Sequence, residues 1–298
     1  MKKNVLFLVY TLTVMLVTLY FSLQIIDKGK TGGFVYVDTK SHDEPKYERL
    51  NPWYINCSHK PDNSFRIIVI GDSFTQGYLL NYWETYPYFL EGKLNSKSKE
   101  GNFEVLNFGN GGLGMIDKFE LFEKKALSCK PDLVVVQYLW DDFRNRSRIV
   151  EIANNLYGFN RSSENFTEYA LEFEVEATKM YTEELFSSYS FEKIWEENVR
   201  IPLQKFIYVA EESDIDLLLI FIPDCDVYRG HETGLNFLKN FVEDNNIIFL
   251  ELTQTFKNYD SSELCVIPND NHPSAFAHRI TADEIYEKII KEKLIDTS

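Results

Sequence analysis

Ile67-Ile68-Val69-Ile70-Gly71-Asp72-Ser73 is an apolar β-type run that ends on a glycine and then delivers a serine. Four consecutive branched residues without polar alternation fit a strand buried on both faces, as in a parallel sheet. The glycine lets the chain turn as it leaves the strand. Ser73 then stands at the carboxyl end of a strand, the edge at which open α/β sheets gather ligands. Far downstream, Asp270-Asn271-His272-Pro273 offers an imidazole and a carboxylate, the pair that activates a serine hydroxyl. Pro273 biases His272 towards extended backbone just before a helix.

Outward from this run, the pattern repeats. Apolar β-type runs recur at 66–70, 104–108, 132–139, 215–222 and 246–252. Between them, Tyr86 to Asn95, Lys118 to Leu127, Phe191 to Glu211 and Gly234 to Glu243 show helical spacing. Alternation of near-continuous apolar strands with helices predicts an α/β fold, a parallel sheet of about five strands covered on both faces. In the last stretch, Ser274 to Lys293, Phe276, Ile280, Ile285, Ile289 and Ile290 fall at helical spacing and close the sheet.

The connection at 143–190 is far longer than usual and reads as an insertion. Within it Tyr169, Leu171, Phe173, Val175 and Ala177 alternate with glutamates, which suggests an appended edge strand or lid.

Composition bounds the function. The chain has 298 residues and 44% hydrophobic content, enough for one full core plus appendages. A formal charge of -15 repels phosphate backbones, so nucleic acid is excluded as a partner. Val5 to Ile26 carries no charge, follows Lys2 and Lys3, and as a helix would span roughly 33 Å, the thickness of a bilayer. It reads as a single uncleaved anchor at residues 1–27 with the rest of the chain extracytoplasmic, because the small-residue cleavage site of a signal peptide is missing. Residues 28–61 follow as a polar stalk or edge segment containing Phe34-Val35-Tyr36-Val37, and the main domain runs over 62–298.

Cys57, Cys129, Cys225 and Cys265 lack paired spacing and read as buried apolar fillers; export would permit disulfides, in any of three connectivities. Sequons stand at Asn56, Asn145, Asn160 and Asn165. His42, His59 and His231 have no metal-ligand spacing, and no metal or cofactor is expected. His278, inside the last helix, reads as a packing histidine, and Asp224 and Asp226 as loop formers that could line a pocket. Most of the 23 Phe and 18 Tyr residues belong to the core, although a sugar-stacking platform fits among them.

Three loops converge on one sheet edge: Gly71-Asp72-Ser73, Asn107-Phe108-Gly109-Asn110-Gly111-Gly112, and Tyr138-Leu139-Trp140-Asp141-Asp142-Phe143. With Asp270-x-His272-Pro273 they resemble the four blocks of the SGNH/GDSL hydrolases, in order, over roughly residues 62 to 292. The resemblance implies a flavodoxin-like three-layer sandwich. It also implies Ser73 as nucleophile, His272 as general base, Asp270 as its orienter, and an oxyanion hole from the Ser73 and Gly112 amides and the residue at position 141.

Two departures from the family pattern bear on the chemistry. Asp141 stands where the family has an asparagine whose amide donates to the oxyanion, and an ionised carboxylate only accepts. Burial could hold Asp141 protonated, or Arg144 or Asn145 could supply the donor. The family also often places its aspartate three residues before the histidine, here Asn269, whereas Asp270 sits two before and can stabilise imidazolium by charge.

The expected function is a membrane-anchored serine esterase acting on short acyl esters, acetyl above all, carried on cell-envelope carbohydrate. An O-acyltransferase using the same serine and a catalytically degenerate fold that binds glycan or a protein partner are the alternatives.

Overall fold

The computed structural model describes residues 55, 57, 59–98, 102–157, 166–225, 232–268 and 270–295. The proposed anchor at 1–27, most of the 28–61 segment, and Asn269, Asp226 and His231 lie outside them. Among the described residues no helix is long and apolar enough to cross a membrane.

In chain order the elements are β1 (Phe65–Gly71), α1 (Ser73–Gln76), α2 (Tyr86–Lys97), β2 (Phe103–Gly109), α3 (Met115–Lys124), β3 (Leu133–Tyr138), α4 (Arg146–Tyr157) and α5 (Phe166–Ser188). Then follow α6 (Phe191–Trp195), α7 (Ile201–Glu212), β4 (Asp216–Phe221), α8 (Glu232–Asn245), β5 (Ile248–Glu251), α9 (Thr253–Phe256), α10 (Ser261–Leu264) and α11 (Ala275–Lys291). The five strands form one parallel sheet in the order β2-β1-β3-β4-β5. The order reverses direction at β1, so the loops leaving β1 and β3 diverge and open a crevice between them. Ser73 leaves one of these strands and Asp141 the other.

The strands are apolar throughout because both faces are covered. Ile67 and Val69 pack with Leu90 and Leu94 of α2 and with Ile285 and Ile289 of α11. Ile68 and Ile70 alternate to the opposite face, where α3 and α7 pack together and Phe122 stacks on Phe206 at 4.9 Å. Each of these four isoleucine and valine side chains is wholly removed from water, which stabilises by about 1.5–3 kcal/mol apiece.

The cysteines correct the filler reading, because all four are paired: Cys57 with Cys129 and Cys225 with Cys265, at Cα separations of 4.9 and 5.1 Å. The first bond fastens the segment before β1 to the turn before β3. Nearby, the buried Arg66 guanidinium donates to Glu104 at 2.8 Å and to the His59 carbonyl at 2.9 Å.

The insertion also differs from expectation. Residues 166–188 form a helix, not an edge strand. Alanine, leucine, methionine and glutamate are strong helix formers, and Ala177 and Tyr181, one turn apart, bury against Ile149 and Ile152 of α4. A period-two pattern read over nine residues missed this i, i+4 face.

Candidate active site

The site begins with two glycines. Gly71 and Gly109 end β1 and β2 in register. A side chain at Gly71 would overlap Thr75, and one at Gly109 would overlap the backbone of Thr75 and Gln76. The missing Cβ atoms let α1 sit directly on the strand ends, with Ser73 as its first residue. Asp72 caps this turn: its Oδ1 accepts the Phe74 N–H at 2.8 Å, and its own N–H donates to Gln137 Oε1 at 3.1 Å.

His272 comes to Ser73 from the other end of the chain. Its Nε2 lies 2.8 Å from Ser73 Oγ and its Nδ1 lies 2.6 Å from Asp270 Oδ1. A carboxylate can only accept, so Nδ1 carries the proton and Nε2 receives the serine hydroxyl hydrogen. The Asp270 Oδ1 also accepts the His272 backbone N–H at 2.7 Å, which closes the two-residue spacing into a tight turn. That turn is how an aspartate two positions upstream orients the ring.

The loop carrying Asp270 and His272 is braced from behind. Val266 donates to the His272 carbonyl at 2.9 Å and Ser274 to the Leu264 carbonyl at 2.6 Å, and Cys265 bridges Pro273. The Cys225–Cys265 bond ties this loop to the exit of β4, where Cys225 Sγ touches the Asp270 carbonyl at 3.2 Å. Ser274 caps α11 by accepting the Ala277 N–H at 3.2 Å.

The Gly112 loop lies beside Ser73. Asn110 donates to the Gly71 carbonyl at 3.0 Å and Gly111 to Gln76 Oε1 at 3.2 Å. Gly112 itself has φ of 76°, a left-handed conformation that glycine adopts freely. Arg146 donates to the Gly111 carbonyl and so ties the loop to the start of α4.

Beneath the turn lies a charged cluster. Asp72, Asp141 and Asp142 bring carboxylate oxygens within 4.8 Å of one another. Lys118, wholly buried, donates to both oxygens of Asp142 at 2.6 Å and to the Gln137 carbonyl at 2.8 Å, and stands 3.8 Å from Asp72. Arg144 pairs with Asp141 at 2.5 Å. Three carboxylates face two cations here, and burial pushes both Asp141 and Asp142 up against the pull of Arg144 and Lys118. Asn145 Oδ1 accepts the Arg148 N–H at 3.0 Å at the start of α4.

Lys118 and Gln137 escaped the sequence reading, yet both left a signal. Lys118 falls on the apolar stripe of α3 with Met115, Leu121 and Phe122, and Gln137 interrupts the apolar run of β3. His278 is buried in α11, where its Nδ1 accepts the Tyr86 N–H at 3.0 Å and its ring stacks on Tyr86.

No family model matches the sequence, and no curated protein matches it. Solved structures do. A variant of Axe2, an acetyl-xylooligosaccharide esterase from Geobacillus stearothermophilus, aligns with a TM-score of 0.51 at 17% identity, over 78% of this chain and 96% of that one. A catalytic variant of Axe2, there described as an acetylxylan esterase, aligns with a TM-score of 0.50 at 16% identity over the same shares of the two chains. Likeness at this level of identity speaks for the fold alone, the α/β architecture built on one parallel sheet described above.

Proposed function

We propose that this chain is a serine esterase that hydrolyses short acyl esters, acetyl above all, through an acyl-Ser73 intermediate. The observation that carries the reading is the continuous line from Ser73 Oγ to His272 Nε2 at 2.8 Å and from His272 Nδ1 to Asp270 at 2.6 Å. His272 takes the hydroxyl proton as Ser73 attacks the ester carbonyl carbon, and Asp270 stabilises the imidazolium. The imidazolium then protonates the leaving alcohol. Water, deprotonated by His272 in turn, attacks the acyl carbon and frees the acid and Ser73.

Negative charge on the carbonyl oxygen falls to backbone amides. As the first residue of α1, Ser73 has no intrahelical acceptor for its N–H, and the Gly112 N–H is the proposed second donor.

The acetyl-ester names of the structural neighbours support a small acyl group on a carbohydrate. The two disulfides support an exported domain, since such bonds persist in oxidising compartments. We read residues 1–27 as the anchor that keeps it at the membrane surface.

A fluorophosphonate probe tests the nucleophile. Ser73 labels in the full chain, Ser73→Ala does not, and release of acetate from acetylated xylo-oligosaccharides falls by at least about 10⁴-fold in that variant. Absence of labelling in the parent ends the proposal.

A second reading, ligand binding without turnover, is favoured by one observation: Asp141 places a buried carboxyl group, paired with Arg144, at the position of the family's amide donor. It predicts retention of acetylated sugar with no acetate released.

A further inference from the structure

We infer that Tyr78 is a positioning residue for His272, whose ring face holds the imidazole plane and stabilises its protonated form. This rests on the proposed role of His272 as general base. The Tyr78 and His272 ring centroids are 4.3 Å apart with the planes inclined by 38°. Phe74, nearly buried, contacts the imidazole at a centroid distance of 5.4 Å. With Asp270 at Nδ1 and Ser73 at Nε2, the imidazole has a partner at each nitrogen and aromatic contacts besides.

The placement of Tyr78 is built into the nucleophile turn. The Gly77 and Tyr78 N–H groups both donate to the Ser73 carbonyl at 3.1 Å. Gly77 has φ of 79°, and a side chain there would overlap the buried Thr85. The left-handed residue reverses the chain so that the next side chain folds back over the base. Ser73 and the ring that covers His272 are thereby fixed by one turn.

An aromatic face within about 6 Å of a cation attracts it through the ring quadrupole. Imidazolium forms only as the proton leaves Ser73, so this attraction grows towards the transition state. Among the described residues, the titratable groups beside the ring are Tyr78 itself, Asp270, which accepts from Nδ1, and His278 of α11, which burial keeps neutral.

The test compares Tyr78→Leu, which keeps bulk and removes the ring, with Tyr78→Phe, which keeps the ring face. The pH dependence of fluorophosphonate labelling is followed in the full chain, and the His272 imidazole signal is titrated by NMR with labelled histidines. In Tyr78→Leu the plateau rate falls about fivefold to tenfold, and the acid limb and the imidazole midpoint both move about half to one unit lower. Tyr78→Phe stays within about twofold of the parent with the midpoint unmoved. An unmoved midpoint in Tyr78→Leu overturns the inference, as does a Tyr78→Phe variant that behaves like Tyr78→Leu. Should the parent fail to label, the esterase proposal falls, and the imidazole titration still decides the role of Tyr78.

Discussion

Lys118 Nζ lies 2.6 Å from both carboxylate oxygens of Asp142, and neither side chain reaches solvent. The pair sits under the turn that presents Ser73, because Lys118 also bonds the Gln137 carbonyl and Gln137 in turn receives the Asp72 N–H. Removing the ammonium leaves two carboxylates buried without their cation. Lys118→Met is expected to cost about 3–5 kcal/mol in urea unfolding, and Lys118→Met with Asp142→Asn to recover at least half of that. A single-variant loss below about 1 kcal/mol contradicts a desolvated pair.

Under the proposed mechanism, Asp141 sets how much rate the site can deliver. Burial raises its carboxyl, while Arg144 at 2.5 Å favours the ionised form. A carboxylate opposes charge on the substrate oxygen, whereas an amide of the same shape donates to it. Asp141→Asn should therefore raise kcat by about tenfold or more at pH 7, short of the full 100- to 1000-fold effect of such a donor because Arg144 loses its partner. A fall in kcat in the same assay shows that the carboxyl is used as it stands.

Much of this was legible in advance for a physical reason. Buried parallel strands leave unbroken apolar runs, and residues at their carboxyl ends share one edge, so Ser73, Gly112 and Asp141 could be placed together from spacing. Lys118 was legible in principle, as a cation on the apolar stripe with Met115, Leu121 and Phe122, but its meaning depends on Asp72 and Asp142 closing around it. The disulfide pairing was not legible, since bonds spanning 72 and 40 residues are chosen by the tertiary approach of distant loops. The helix at 166–188 was misread because side-chain alternation outweighed helix propensity in a stretch rich in glutamate.

The two disulfides should separate stability from activity. By loop entropy alone, Cys57–Cys129 and Cys225–Cys265 each contribute about 4 kcal/mol. Only the second holds the loop that carries Asp270 and His272. Replacing Cys225 and Cys265 by serine is expected to lower both the melting temperature and the rate at which folded protein labels at Ser73, the latter by about tenfold. Replacing Cys57 and Cys129 lowers the melting temperature and leaves that rate within about twofold. Equal rate losses from the two pairs remove any special role for the bond beside the base.

His278 sets an acid limit on stability. Burial pulls its imidazole down from 6.5 to about 3, while its Nδ1 accepts the Tyr86 N–H at 3.0 Å. The unfolded chain binds a proton at this residue below pH 6.5, and the native chain does not until about pH 3. Stability from this group is thus fully present above pH 6.5 and is lost as pH falls towards 3, at about 1.4 kcal/mol per pH unit. Glutamine at 278 keeps an oxygen acceptor for Tyr86 and carries no titratable group. Urea unfolding of His278→Gln between pH 6 and 4 should show a slope shallower by about one proton than the parent, even if the variant is less stable at pH 7. Identical slopes would mean that the imidazole is protonated in the native core, which its contact with a backbone donor forbids.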